Sequence, residues 1–324
     1  MIVPILLFIL GLGLLIKGGD WFVDGATGVA HRFHIPELLI GATVVSIGTT
    51  LPEVMVSATS AVGGHGEIAY GNAIGSIICN TALIAAITVA VRPARIERSS
   101  LKLPVIFFFL AAIFYSVIAY ATGFFSYAVG AILLAVFVVY MVLSVLQARR
   151  APQPAEGKEQ KTVSDKNWGL AKEVGLLVLG AALIAVGARL LVDNGIQIAE
   201  KLGVPEAVIA LTFVALGTSL PELVTAITSL VKGHGSLSLG NVIGANLFNL
   251  VLVSGVSTVL SPFAVPGSKL VLGVNSSLLI DIPVMLLVMA LLTVPALIRG
   301  KLSRWQGIVL LGIYAAFCVL QFVL

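Results

Sequence analysis

The sequence predicts an all-α integral membrane protein: ten transmembrane helices forming two inverted five-helix repeats, with helices broken at the membrane midplane. Three observations carry that prediction. Hydrophobic residues make up 59% of the 324 and charged residues 10%, against roughly 45–50% and ~25% in an ordinary soluble domain. Residues 36–80 recur as residues 205–249 at a constant offset of 169, with 21 of the 45 aligned pairs identical. Lysine and arginine gather on alternate connections between the apolar runs.

A helix needs about 20 apolar residues to cross the hydrocarbon core. Ten runs qualify: residues 2–29, 36–63, 68–91, 102–121, 125–147, 169–199, 205–231, 236–261, 273–297 and 304–323. The first has no basic leader and reads as a span rather than a cleaved signal. Residues 148–168, rich in Pro, Gln, Glu and Lys, read as a flexible loop. That loop separates a first half, residues 1–147 with its repeat at 36–80, from a second, residues 169–324 with its repeat at 205–249.

Connections after odd-numbered spans hold fifteen basic residues, from Arg32 through the Arg149–Lys172 cluster to Arg304, whereas the others hold Lys201 and Lys269. The positive-inside rule therefore places both termini outside a cell (inner) membrane and the central loop in the cytoplasm. Because five is odd, the second copy enters the bilayer upside down, the signature of an inverted repeat about an axis in the membrane plane. The net charge of +4 belongs to these loops, not to a nucleic-acid surface. Cys79 and Cys318 lie in separate apolar runs and suggest neither a disulfide framework nor a thiolate metal site.

Each repeat carries an acid in mid-span: GTTLPE ends at Glu53 and GTSLPE at Glu222. A carboxylate at that depth is costly and asks for a functional cause. Pro52 lacks a helix donor and disfavours a helical Leu51, so the span should break near Thr49 and Thr50, with Pro52 starting a second half-helix. Thr218, Ser219 and Pro221 predict the same in the second copy. Freed carbonyls at such a break are cation ligands, and a glutamate in the first turn beyond it sits at the positive helix end. The same residues also fit a plain S/T-x-x-E capping box, and the two roles can coexist.

The following span adds amides and hydroxyls. Asn72, Ser76 and Asn80 share one helix face, as do Asn241, Ala245 and Asn249, with Asn246 beside them. Gly71, Gly75, Gly240 and Gly244 form GxxxG spacings suited to close helix packing. Carboxylates, hydroxyls, amides and carbonyls make an all-oxygen site, which suits hard cations such as Ca²⁺ and Na⁺ rather than zinc or copper. Two glutamates are neutralised by one Ca²⁺ or by two monovalent ions, and a site that must be filled either way performs exchange. No Ser/His or His/Asp pairing within the repeats indicates an enzyme, and nothing calls for a cofactor.

Other ionisable groups have simpler explanations. Lys17, Asp20, Asp24, Arg189 and Asp193 read as snorkelling or ion-paired side chains of the first and sixth spans. Asp281 has no copy in the other half and reads as an interface residue, and His65 and His234 occupy matching Gly-His-Gly turns.

GATVVSIGTTLPE…GNAIGSIICN and ALTFVALGTSLPE…GNVIGANLFN resemble the two α-repeats of the cation/calcium exchanger superfamily, specifically prokaryotic sodium/calcium exchangers. The resemblance implies a core of four repeat spans, past which the first and sixth spans slide for alternating access, and exchange of three Na⁺ for one Ca²⁺. It also implies that Glu53 and Glu222 ligate both ions. Thr49 and Thr218 would offer carbonyls to Ca²⁺, Thr50, Ser76 and Ser219 would serve Na⁺, and Asn80 and Asn249 would line the centre. Ala245 departs from the serine common there, and Asn249 stands where potassium-dependent members carry aspartate. The expected partners are Na⁺, Ca²⁺ and the lipid bilayer, with the protein working as a monomer. Proton/cation exchange within the same superfamily is the nearest alternative; a cation channel is more distant.

A Lys158→Cys thiol in the central loop should react with a membrane-impermeant maleimide from the cytoplasmic side only. Labelling of intact cells above the parent background would invert the topology.

Overall fold

The computed structural model describes residues 2–93, 96–150, 169–202, 217–267, 270–271 and 273–323. The helices are α1 (Ile2–Arg32), α2 (Glu37–Val62), α3 (Gly66–Val91), α4 (Arg98–Thr122), α5 (Tyr127–Arg150), α6 (Leu170–Lys201), α7 (Leu220–Val231), α8 (Gly235–Leu260), α9 (Ser277–Arg299) and α10 (Arg304–Val323). Among the described residues, nine are long and apolar enough to cross a membrane, and α7 is a shorter apolar helix. The expected seventh span begins in residues 205–216, which lie outside the described residues, as do residues 151–168 of the expected loop. The protein is thus a multi-pass membrane protein with the ten-helix inverted-repeat fold.

The repeat helices form the centre. α3 and α8 bury 72% and 83% of their most apolar stretch, against 28% and 22% for α1 and α6. Those two outer helices pack antiparallel against each other, and glycine lets them touch backbone to backbone. A Cβ on Gly11 would lie 2.8 Å from the Gly187 carbonyl oxygen, and one on Gly18 would lie 2.9 Å from that of Gly180. Gly11 and Gly180 are copies at the offset of 169, as are Gly18 and Gly187, so the crossing itself obeys the inverted symmetry. Gly240 and Gly244 do the same work inside the core, backing onto Leu38 and Ala42 of α2, as their spacing predicts, whereas a Cβ on Gly71 or Gly75 would meet nothing within 4 Å, so that GxxxG pair makes no close helix contact.

A two-residue antiparallel ribbon joins Phe124–Phe125 to Phe263–Ala264. There Tyr70, Tyr115, Phe125 and Phe263 form a continuous run of rings with centroids 6.4, 4.4 and 5.6 Å apart. The α2–α3 and α7–α8 turns match, each needing a left-handed glycine: Gly64 at φ +82° and Gly233 at φ +89°.

Helix irregularity is partly where the sequence predicts it. In the second copy Thr218 and Ser219 form a turn, and α7 starts at Leu220 with Pro221 in its first turn. The first copy differs: the α-helix runs unbroken from Ser46 to Val62 through Pro52. Proline deprives the Gly48 carbonyl of one donor, and neighbouring helices tolerate that loss at membrane depth, so a single proline does not force a break. The disturbance lies earlier, in a π-helical stretch at Gly41–Val45. Further π stretches open at Asn80 in α3 and at Asn249 in α8, positions related by the same offset of 169. Such bulges widen a helix locally and recur at functional sites.

Gly18→Val should push α1 from α6 and cost about 1–3 kcal/mol through overpacking. Thermal unfolding of the purified protein should register this as a lowered midpoint, and an unchanged midpoint would mean that the backbone contact is dispensable.

Candidate cation site

Glu53 lies in the middle of α2 and Glu222 in the first turn of α7. Both are wholly buried, and their carboxylates are close enough to feel each other's charge. All four carboxylate oxygens lack a hydrogen-bond partner among the described residues. The Thr49 side chain lies beside the Glu222 carboxylate, so groups of one repeat approach the acid of the other.

Most of the remaining sequence-predicted residues are buried too. Thr50, Asn80, Asn249 and Ser219 are buried, and their side-chain polar atoms likewise have no partner in the protein. Ser76 is buried one turn from Asn80, and Thr218 is half-buried at the turn before α7. The capping-box alternative fails on geometry. Thr50 lies inside a continuous helix, and Ser219, at the N-cap of α7, makes no side-chain cap bond. For Glu53 the helix-end argument also falls, because no helix starts there; it holds for Glu222.

Asn80 and Asn249 each head a π-helical stretch in α3 and α8, the helices whose apolar stretches are 72% and 83% buried. A small cavity of about 10 Å³ lies where Phe22 of α1 and Ala181 and Ile184 of α6 meet Gly48, Pro52 and Pro221. The outer helix pair therefore lies against Pro52 and Pro221 directly.

The donor set is oxygen throughout, and among the described residues no cluster of three or more His, Cys, Asp or Glu is present. Two unpaired carboxylates at this depth are costly to keep charged without a cation or proton. What the arrangement can do chemically is bind a small hard cation, with hydroxyl and amide oxygens replacing water.

A family model described as sodium/calcium exchanger protein matches residues 3–146 and 172–323. The chain belongs to that family. It is 33% identical over 332 residues to the putative antiporter CaxA of Alkalimonas amylolytica, and 32% identical over 354 residues to the sodium/calcium exchanger MaX1 of Methanosarcina acetivorans. Each alignment covers 99% of both chains. The fold is similar to that of the sodium-calcium exchanger NCX_Mj in a structure soaked with Na⁺ and Sr²⁺, with a TM-score of 0.81 and 31% identity over 97% of each chain.

In this family member several polar groups of the core escape sequence reasoning. Ser46 is buried and donates to the Gly41 and Asn241 carbonyls at 2.7 and 3.0 Å. Thr225 and Ser229 continue the buried face of α7 beyond Glu222, also without a protein partner. Their spacing of three and seven residues from Glu222 is a helical-face signal that the sequence does contain. Asn246 is held by other partners, donating to the Thr81 hydroxyl at 2.7 Å and to the Met289 sulfur at 3.1 Å.

The peripheral charges are structural. Lys232 at the end of α7 bonds Asp24 at 2.8 Å and lies 3.4 Å from Asp20. Arg32 forks onto Glu173 at 2.7 and 2.8 Å, tying α1 to α6. Lys17 lies over the Trp21 ring and Arg189 pairs with Asp193 on its own helix. His234 meets Glu37 at 2.8 Å, and Asp281 accepts from Gln321 of α10.

Proposed function

We propose that the protein is a secondary-active antiporter that exchanges Na⁺ for Ca²⁺ across the membrane by alternating access, normally exporting Ca²⁺. One observation carries the reading: two buried carboxylates from inverted repeats, within reach of each other's charge, with four oxygens that no donor among the described residues satisfies. Membership of the sodium/calcium exchanger family supports the same class of activity.

In this reading Glu53 and Glu222 ligate both cargoes. Thr49 and Thr218 offer backbone carbonyls to Ca²⁺, while Thr50, Ser76 and Ser219 serve Na⁺ through their hydroxyls. Asn80 and Asn249 line the centre between the two acids. Charge sets the logic of coupling. Carrying two bare carboxylates through a closed, water-poor intermediate is costly, whereas one Ca²⁺ or two Na⁺ cancel their charge. The transition is therefore open to the loaded protein, and each crossing with one ion is answered by a return with the other. The first half (residues 1–147) and the second (169–324) supply one repeat each. The loop at 148–168 lies in the cytoplasm and the termini outside the cell (inner) membrane, with a monomer as the working unit.

Glu53→Gln and Glu222→Gln should each abolish Na⁺-dependent Ca²⁺ uptake into proteoliposomes while the protein still folds and inserts. Wild-type rates in either variant would remove the acids from the site. Uptake driven by a pH gradient without Na⁺ would replace sodium by proton coupling, and flux indifferent to the opposing gradient would make the protein a channel. Asn249→Asp adds a third acid to the cluster and should make exchange depend on pH or on an additional monovalent cation. A flux assay across pH and K⁺ checks this, and no change in either dependence would put Asn249 outside the site.

A further inference from the structure

Two hydrogen bonds in the core mirror each other across the repeats. Thr49 donates to the Asn241 amide oxygen at 3.2 Å, and Thr218 donates to that of Asn72, also at 3.2 Å. Adding 169 to Thr49 gives Thr218, and adding it to Asn72 gives Asn241. Each threonine that precedes the Leu-Pro-Glu turn of one repeat is thus held by an asparagine from the second helix of the other.

Resting on the reading of Glu53 and Glu222 as the ion ligands, we infer that Asn72 and Asn241 are positioning residues that lock the threonine of one half-site to the frame of the other. The Asn72 amide bonds both copies. Asn72 donates to the Ser57 hydroxyl at 2.8 Å and to the Glu53 carbonyl at 3.3 Å, while accepting from Thr218. A single side chain therefore joins the backbone of the first acid to the threonine before the second. Asn241 accepts from both Thr49 and Ser46 of α2, its backbone carbonyl taking the Ser46 hydroxyl at 3.0 Å.

A threonine whose hydroxyl is held this way has a fixed side-chain rotamer and a restrained backbone, which fixes where its carbonyl points. That restraint matters because a cation site gains affinity from oxygens held in place before the ion arrives. The bonds also oblige the two half-sites to move together.

The two clasps are not equal. Thr49 and Asn241 are buried, whereas Thr218 and Asn72 are half-buried. Ser57, which receives the Asn72 amide protons, is replaced by Ala226 in the other copy, and the Asn241 amide nitrogen is buried without a partner. Asn72 is consequently held from three sides and Asn241 by its acceptors alone.

The test measures Na⁺-dependent uptake of radioactive Ca²⁺ into proteoliposomes by Thr218→Val, Asn72→Leu and the double variant, with Thr49→Val and Asn241→Leu as the mirror set. Each single change should raise the half-saturating Ca²⁺ concentration by about tenfold, the scale of one lost hydrogen bond, with a smaller effect on the maximal rate. The double variant should be no worse than the more affected single one. Thr218→Ser, which keeps the donor, should recover most of the affinity lost in Thr218→Val. Effects that multiply in the double variant, or a loss of thermal stability with half-saturation unchanged, would reduce the bonds to helix cement and overturn the inference. If Asn72→Leu does not fold, the Thr218→Val and Thr218→Ser comparison decides, read also as the rise in unfolding temperature of purified protein on adding Ca²⁺. Glu53→Gln separates the two layers. Wild-type exchange in that variant overturns the ion-site reading itself, whereas an inactive Glu53→Gln with independent Asn and Thr effects overturns only the clasps.

Discussion

The mutual approach of Glu53 and Glu222, deep among helices that offer their carboxylates no donor, is the constraint around which the molecule is arranged. Like charges in a poorly polarisable interior repel strongly, so the fold has to hold them together by other means. It does so with the backbone contacts of glycine, at Gly240 and Gly244 against α2. It also uses neutral hydrogen bonds that cross between the copies, from Thr49 and Ser46 to Asn241 and from Thr218 to Asn72. None of these supplies a positive charge at the acids. Among the described residues the cross-helix ion pairs of lysine and arginine lie elsewhere, Lys232 at the end of α7 meeting Asp20 and Asp24, and Arg32 at the end of α1 meeting Glu173. A lysine placed between the acids would neutralise the centre permanently, and the site would then have no use for a mobile cation.

Inverted duplication brings a second consequence. Two copies of one segment, inserted with opposite hands, build a site whose two faces are related by symmetry, so openings towards either side are close in energy. The chain keeps that symmetry where the outer helices cross, at the Gly11–Gly187 and Gly18–Gly180 contacts, and in the π turns headed by Asn80 and Asn249. It abandons the symmetry elsewhere. The helix is continuous through Pro52 but interrupted before Pro221. Lys232 ties α7 to α1, and its counterpart position in the first copy is Gly63. One face is consequently braced by charge where the other is not.

Much of this was open to reading before any coordinates. The span count followed from apolar length and the inverted arrangement from an odd number of spans per half. The acids stood out because they lie in mid-span behind the same GT-x-LPE pattern in both copies. The error at Pro52 is instructive. The same GT-x-LPE pattern yields a turn in one copy and a straight helix in the other, so the local sequence does not decide between them. A proline inside a helix removes one backbone bond, which membrane helices can tolerate, so Pro52 and Pro221 need not act alike. The cross-repeat bonds of Asn72 and Asn241 were hidden for a similar reason: their helix face was visible, but a partner 146 or 192 residues away was not.

By itself the sequence determined that this chain spans a membrane as inverted halves and carries paired acids among oxygen donors. Hydropathy, duplication and charge bias are properties of the chain as written. Only the tertiary structure decided that the two carboxylates are buried within reach of each other's charge, that no donor among the described residues satisfies them, and that each repeat holds the threonine of the other. Those facts depend on which helix faces oppose one another across the core, and opposition between distant segments is set by packing of the whole fold, which no local pattern encodes.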